Sequence, residues 1–173
     1  MFVRPATPAD VPAVLPLVRA LCDLHARQDP HRFQVRADVL DRYAAWLPER
    51  ARDPRSVFLV GEAPATTPGG TPRVVAFLVG TIEPEIPIWW VPECGWIHDV
   101  WVEPDCRRQG LARTLVERAV EKFAALGVAQ VRLDTAAFNE SARAVFASAG
   151  FRPCVVEMIR TLRDPPPTPP EIP

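Results

Sequence analysis

Between Trp96 and Leu126 the apolar pattern changes period across one turn, and few folds accommodate such a change. Trp96-Ile97-His98-Asp99-Val100-Trp101-Val102 reads as a strand, closed by Pro104, which cannot donate to a ladder. From Gly110 onward, Leu111, Leu115, Val116, Ala119, Val120, Phe123 and Leu126 share one helical face. Arg113, Glu117, Arg118, Glu121 and Lys122 face away, and Gly127 is placed to end the helix. A strand that feeds a helix through a glycine turn gathers unpartnered amides and the positive end of the helix dipole in one spot. That spot suits a diphosphate. Gly110 lets phosphates reach the backbone and Arg107 and Arg108 add charge, in a turn that runs Arg107, Arg108, Gln109, Gly110, Leu111 and Ala112. Neither Gly-x-Gly-x-x-Gly nor a Gly-Lys-Ser/Thr phosphate loop occurs in the chain.

The remaining elements alternate around this corner. Phe2-Val3-Arg4 suits a short strand, followed by Thr7 as an N-cap, Pro8 at the first helical position and Asp10 three residues after the cap. Val11, Val14, Leu15, Val18, Leu21 and Cys22 then keep helical spacing, with Pro12 and Pro16 expected to kink or weaken the first turns. A second helix is expected from about Ala37 to Arg50, with Val39, Leu40, Tyr43, Trp46 and Leu47 on one face. Val57–Val60 and Val74–Val79 read as strands joined by a proline- and glycine-rich loop from Ala63 to Pro72. After the long helix come a strand near Val131–Thr135, a short helix capped by Asn139 and ended by Gly150, and a last extended stretch from Phe151 to Leu162. The order predicts an α/β (α+β) fold, one domain over residues 1–163 built on a mixed sheet. Residues 164–173, rich in proline, are expected to form a disordered polyproline tail, either a loose terminus or a ligand for a proline-reading module.

Composition narrows the function. The 20 basic and 21 acidic residues nearly cancel to a net charge of -1, so no global field draws the chain to nucleic acid or to an anionic membrane. Any anion must be held by a local site. Cys22, Cys94, Cys106 and Cys154 are too scattered for a zinc site or a disulfide framework, which points to free thiols. The start, Met1-Phe2-Val3-Arg4-Pro5, lacks a secretory layout, and no run is long enough to span a membrane. A cytoplasmic protein is expected.

With both halves in view, the sequence resembles the Gcn5-related N-acetyltransferase (GNAT) superfamily. Arg107-x-x-Gly110-x-Ala112 is similar to its Arg/Gln-x-x-Gly-x-Gly/Ala pyrophosphate motif, and Val100-Trp101-Val102-x-Pro104 to the strand before it. Asn139-x-x-Ala142 and Gly150-Phe151 are similar to its distal motif. The resemblance runs from about Phe2 to Leu162, carried in the first half by element order alone. It implies acetyl-CoA as co-substrate and acetyl transfer to a primary amine, on a small molecule or a protein. It also implies a sheet splayed between the strand ending at Val102 and that near Val131. Pantetheine would lie in the gap against the backbone of Val100, Trp101 and Val102, with Asn139 touching it from the other side. A non-catalytic acyl-CoA-binding or regulatory domain is the competing reading.

The chemistry needs an unprotonated amine, and a lysine-like amine is mostly protonated at neutral pH. His98 occupies the place where many members carry a base, followed by Asp99, and both stay open as that base. Simple alternation puts them on opposite faces: His98 with Trp96, Val100 and Val102, and Asp99 with Ile97 and Trp101. Only one could then face the cleft. Phe146 stands where the resemblance implies a thiolate-protonating tyrosine, and it is read as packing near the pantetheine end. The only tyrosine, Tyr43, lies in the second helix, so that acid role is unfilled. Trp89, Trp90, Trp96 and Trp101 could wall the cleft for an ammonium. Taken singly, each suits core or dimer-interface packing better than a cleft wall, because tryptophan is largely buried in folded proteins, and a homodimer stays open. Glu83, Glu85 and Glu93 nearby suit either a basic acceptor or plain solvation.

Overall fold

A computed structural model describes residues 1–65 and 69–163. Five strands form one sheet in the order β1-β2-β3-β4-β5: β1 Phe2–Pro5, β2 Val57–Ala63, β3 Arg73–Pro84, β4 Glu93–Val102 and β5 Val131–Leu133. The first four pair antiparallel and β5 joins β4 in parallel, which makes the sheet mixed. Helices α1 (Val11–Gln28) and α2 (Val39–Arg52) precede β2, α3 (Leu111–Ala125) links β4 to β5, and α4 (Glu140–Ser148) follows β5.

Strand alternation sorts the sheet's side chains into two cores. On one face Phe58, Val60, Phe77, Val79 and Trp101 meet Val14, Leu17, Val18 and Leu21 of α1 and Leu47 of α2. On the other, Val57, Leu59, Leu78, Ile97 and Val102 meet Leu111, Leu115, Val116, Ala119 and Phe123 of α3. Full burial of such side chains contributes roughly 1.5–3 kcal/mol each. Phe123 is wholly buried, and it fits only because both strands beneath it lack side chains. A β-carbon on Gly95 would lie 2.7 Å from its ring, and one on Gly80 would lie 2.6 Å from the Trp96 carbonyl oxygen.

Helix α1 runs unbroken from Val11 despite its prolines. Pro12 sits in the first turn, where its missing N–H had no partner to lose. Ahead of α1, the Asp10 carboxylate accepts from the Thr7 N–H at 2.7 Å and from its hydroxyl at 2.9 Å, as the capping pattern predicts. The same carboxylate pairs with Arg4 at 2.7 Å. That pairing and the Thr7 bonds hold Asp10 down at about 2.

The final stretch differs from the expectation. Phe151–Leu162 joins no ladder, and Val155, Val156, Met158 and Leu162 are each more than four-fifths exposed. Their β-propensity is real, but a strand forms only against a partner. Here Pro153 removes a donor, and β5, at the edge of the sheet, has only three residues. The Thr66–Pro68 part of the proline–glycine loop and the tail from Asp164 to Pro173 lie outside the described residues. All four cysteines are unpaired, and no helix among the described residues is long and apolar enough to cross a membrane.

Candidate active site

The β3–β4 ladder carries one irregularity, and it organises the site. Val79 pairs with Asp99 and the next residue, Gly80, pairs with Ile97, so His98 is an extra residue on β4. Such a bulge leaves two consecutive residues opposite one and breaks the in–out alternation. Ile97 therefore packs in the α3-side core while Trp101 packs in the α1/α2-side core. Between them, both His98 and Asp99 turn toward α2. The expectation that only one could face the cleft is corrected, as is the placing of Asp99 with Ile97. Together with Arg42, Tyr43 and Trp46 the two residues line a pocket of about 390 Å³.

Within the pocket Asp99 takes the inner position. Its Oδ2 accepts the Tyr43 hydroxyl at 2.8 Å. Burial raises its carboxyl to about 6, with the Tyr43 hydrogen bond working in the opposite direction. Burial and the nearby Asp99 charge push Tyr43 upward in turn, so it stays a hydrogen-bond donor. His98 takes the mouth, its side chain 30% exposed, with its ring edge-on to Trp46 at 5.6 Å. Its Nε2 lies 2.6 Å from the Thr81 hydroxyl and 3.6 Å from Glu83 Oε1. Partial burial lowers its basicity and Glu83 acts the other way, leaving it below the ordinary imidazole value.

These values carry a stability prediction. Asp99 titrates near 6 when folded, above the usual carboxyl near 3.9, so between those values the folded state holds the extra proton. The contribution of Asp99 to stability is then fully present below about pH 4 and is lost as pH rises through 6. Asp99→Asn keeps the Tyr43 bond without the charge. The variant is expected to be more stable at pH 8 by on the order of 1–3 kcal/mol, with a flatter slope between pH 4 and 7 in urea unfolding. Identical slopes for both proteins would remove the desolvated carboxylate from the argument.

Farther along β4 the sheet opens. Parallel pairing with β5 covers only Gly95–Ile97 against Val131–Leu133, and β4 continues to Val102 beyond it. The Glu103 N–H bonds to the Val75 carbonyl on β3. Because backbone groups alternate between strand edges, Trp101 also turns its backbone to β3, whereas Val100 and Val102 turn theirs to the open edge. A free backbone at Trp101 is thus not available, and the Val102 carbonyl already accepts Arg107 Nε at 2.9 Å.

The turn beyond β4 has two left-handed residues, Arg108 at φ 59° and Gly110 at φ 81°. Gly110 is the N-cap of α3 and has no side chain to bond the helix's first amides. The N–H groups of Leu111, Ala112 and Arg113 precede the first intrahelical bond, which Thr114 makes to the Gly110 carbonyl at 3.0 Å. Leu111 is buried, Ala112 is half-buried, and Arg108 and Gln109 are exposed. Arg107 behaves differently from a free anion ligand: its guanidinium lies 4.7 Å over the Trp101 ring and braces the turn against the strand. Across the opening, Asn139 Oδ1 caps α4 by accepting the Ala142 N–H at 3.1 Å. Phe146 packs edge-on against Phe151 at 6.1 Å, beside the α3-side core.

Several side chains escaped the sequence reading. Tyr43 and Trp46 wall the pocket, and none of Trp89, Trp90, Trp96 and Trp101 lines it. Trp101 is buried under Arg107, Trp96 is half-buried, and Trp89 and Trp90 are exposed between β3 and β4. Of the acidic trio, Glu85 pairs with Arg132 and Glu93 with Arg55, while Glu83 reaches His98. Thr81 and Glu83, two residues apart on β3, point the same way, and that spacing was the signal available.

The sequence matches the profile of the acetyltransferase (GNAT) family over residues 18–151. It is 35% identical over 60 residues to the [ribosomal protein bS18]-alanine N-acetyltransferase of Escherichia coli strain K12, covering 35% of this chain and 40% of that protein. The chain thus aligns with well under half the length of the curated relatives it matches. Among solved structures, the tetramutant of the BH1408 protein from Bacillus halodurans superposes with a TM-score of 0.76 at 23% identity, over 94% of this chain and 100% of that one. Glucosamine-6-phosphate N-acetyltransferase from Arabidopsis thaliana does so at 0.66 and 18%, over 94% and 98%. At such identities the structures speak for the fold alone, and the profile speaks for descent. On that match, spanning β4, the glycine turn and α4, the chain belongs to the acetyltransferase (GNAT) family.

Proposed function

We propose that the protein transfers the acetyl group of acetyl-CoA to a primary amine, with His98 as proton acceptor and Asp99 as the half-buried anion that receives the ammonium. What carries this reading is the bulge that turns His98 and Asp99 into one pocket on the strand leading to the uncapped amides of α3. At about 3.3 Å per residue, His98 and Val102 are roughly 13 Å apart, so one ligand lying along the open edge of β4 can reach both.

In this reading the diphosphate rests on the amides of Leu111 to Arg113, aided by Arg108 and the Gln109 backbone, and pantetheine follows Val100 and Val102. Asn139, Ala112 and Phe146 bound the far side. The amine enters the pocket as an ammonium, drawn by Asp99 and by the faces of Trp46 and Tyr43. His98 takes one proton, directly or through a water. The freed nitrogen lone pair attacks the thioester carbonyl, the carbon–nitrogen bond forms, and a backbone N–H on the open edge steadies the oxyanion. Collapse breaks the carbon–sulfur bond, and the nitrogen, left cationic by its attack, releases its second proton to solvent, as His98 later does with the first. The thiolate, with an ordinary pKa near 8.5, takes its proton from solvent, because Phe146 offers no hydroxyl.

Titrating acetyl-CoA and following free-thiol release across a panel of amines tests the reading. Amine-dependent release is the expected result, and saturable binding without release would favour a non-catalytic acyl-CoA-binding domain. The acceptor, an amine on a small molecule or on a protein, is the variable of that panel. Cytoplasmic residence and self-association belong to the same proposal; sedimentation at several concentrations reads the latter.

A further inference from the structure

Thr81 is buried and its hydroxyl meets two groups at once. It lies 2.5 Å from Glu83 Oε1 and 2.6 Å from His98 Nε2. A hydroxyl has one hydrogen, and an ionised carboxylate can only accept. The Thr81 hydrogen therefore goes to Glu83, and its oxygen must accept from His98. Were Thr81 to donate to His98 instead, its lone pairs would face the carboxylate oxygen at contact distance, with no hydrogen between them. In the buried part of the chain that arrangement carries the penalty of an unsatisfied acceptor.

We propose that Glu83, acting through the Thr81 hydroxyl, is a positioning residue that fixes His98 with its proton on Nε2 and its lone pair on Nδ1. The inference rests on the reading of His98 as the proton acceptor and assigns the accepting atom. A histidine's reactive nitrogen is set by the hydrogen bond its other nitrogen makes. When Nδ1 takes a proton, the charge spreads to Nε2–H, whose contacts lead through Thr81 to Glu83, 3.6 Å away. The groups around the ring divide by sign. Glu83 on β3 and Asp99 on β4 favour the imidazolium. Arg42 and Arg50 on α2 oppose it, Arg50 lying 5.7 Å over the Trp46 ring that meets His98. Tyr43, bonded to Asp99, stays neutral. Glu83 thus offsets the α2 arginines, although its side chain is 46% exposed and solvent screens part of its field.

Nitrogen-detected NMR of the full chain, labelled with 15N and without any acyl donor, reads the tautomer directly. Two other histidines, His25 and His31, are removed from the assignment by comparison with His98→Gln. At pH 8 the native protein is expected to show a pyrrole-type Nε2 and a pyridine-type Nδ1 for His98. Glu83→Gln keeps an acceptor for Thr81, so the tautomer should persist while the His98 titration midpoint moves to lower pH. Thr81→Val should mix the tautomers, and Thr81→Ser should restore the native pattern. A native Nδ1–H tautomer would overturn the proposal, as would a Thr81→Val spectrum and titration unchanged from native. If Thr81→Val does not fold, the native spectrum and the Glu83→Gln titration still decide. Because no acetyl transfer enters this readout, an Nε2–H tautomer in a protein that acetylates no amine would sink the proposed function and leave the relay standing.

Discussion

His98→Ala is expected to lower kcat by ~10²–10⁴-fold, the range for losing a positioned general base. The side chain lies at the pocket mouth on a bulge, so its removal leaves both cores intact and the acetyl-CoA constant nearly unchanged. The pH profile distinguishes the agents. Burial holds His98 below the ordinary imidazole value, so native kcat/KM should hold down to below pH 6.5 and then fall as His98 takes up a proton. Asp99 titrates near 6 in the same pocket, and two groups so close give apparent values belonging to the pair. His98→Ala should leave one acid limb, that of Asp99, and adding Asp99→Asn should remove it. An unaltered profile in His98→Ala would pass the proton-accepting role to Asp99 or to solvent.

Gly110→Val is expected to abolish measurable acetyl-CoA binding. The glycine holds φ 81°, where an L-residue costs roughly 1–2 kcal/mol and a β-branched one is a severe outlier. For a chain of this size that is a fall in Tm of about 2–8 °C. A β-carbon at Gly110 would meet nothing within 4 Å, so the new side chain stands in open space before the amides of α3. Gly127, just past the end of α3, has the same φ of 81° and the same open surroundings, which makes Gly127→Val a control for strain. Both variants should lose similar stability while only Gly110→Val loses the ligand in calorimetry. Equal affinities in the two would refute the cradle.

What could be read from residues alone followed from local rules. The apolar face of α3 was legible because Leu111, Leu115, Val116, Ala119 and Phe123 are all buried at helical spacing. The turn was legible because a glycine and arginines stand between two periods. The pocket was not. Its geometry depends on one extra residue in β4, whose only trace in the sequence is the adjacent polar pair His98-Asp99, which plain alternation sends to opposite faces. Tyr43 was set aside because it lies in the second helix, yet α2 lays it on Asp99, 56 positions away. Phe151–Leu162 failed the opposite way: its propensity for a strand is plain, but pairing is a property of neighbours, and only the fold decides whether an edge is there.

The ring of Phe123 has a consequence for how this protein would vary under mutation. It is seated over Gly80 and Gly95 near one end of α3, about 20 Å along the axis from Gly110 at 1.5 Å per residue. A close-packed interior passes displacement on rather than absorbing it, so the helix works as a lever whose fulcrum is two missing side chains. Alanine at Gly80 would first meet the Trp96 carbonyl oxygen at 2.6 Å and the ring only at 3.1 Å, whereas alanine at Gly95 would press on the ring at 2.7 Å and tilt the helix that carries it. Such a lesion would register as weakened affinity for an anionic ligand that no altered atom touches, and a screen for affinity defects would return positions in the sheet's interior alongside those in the cradle.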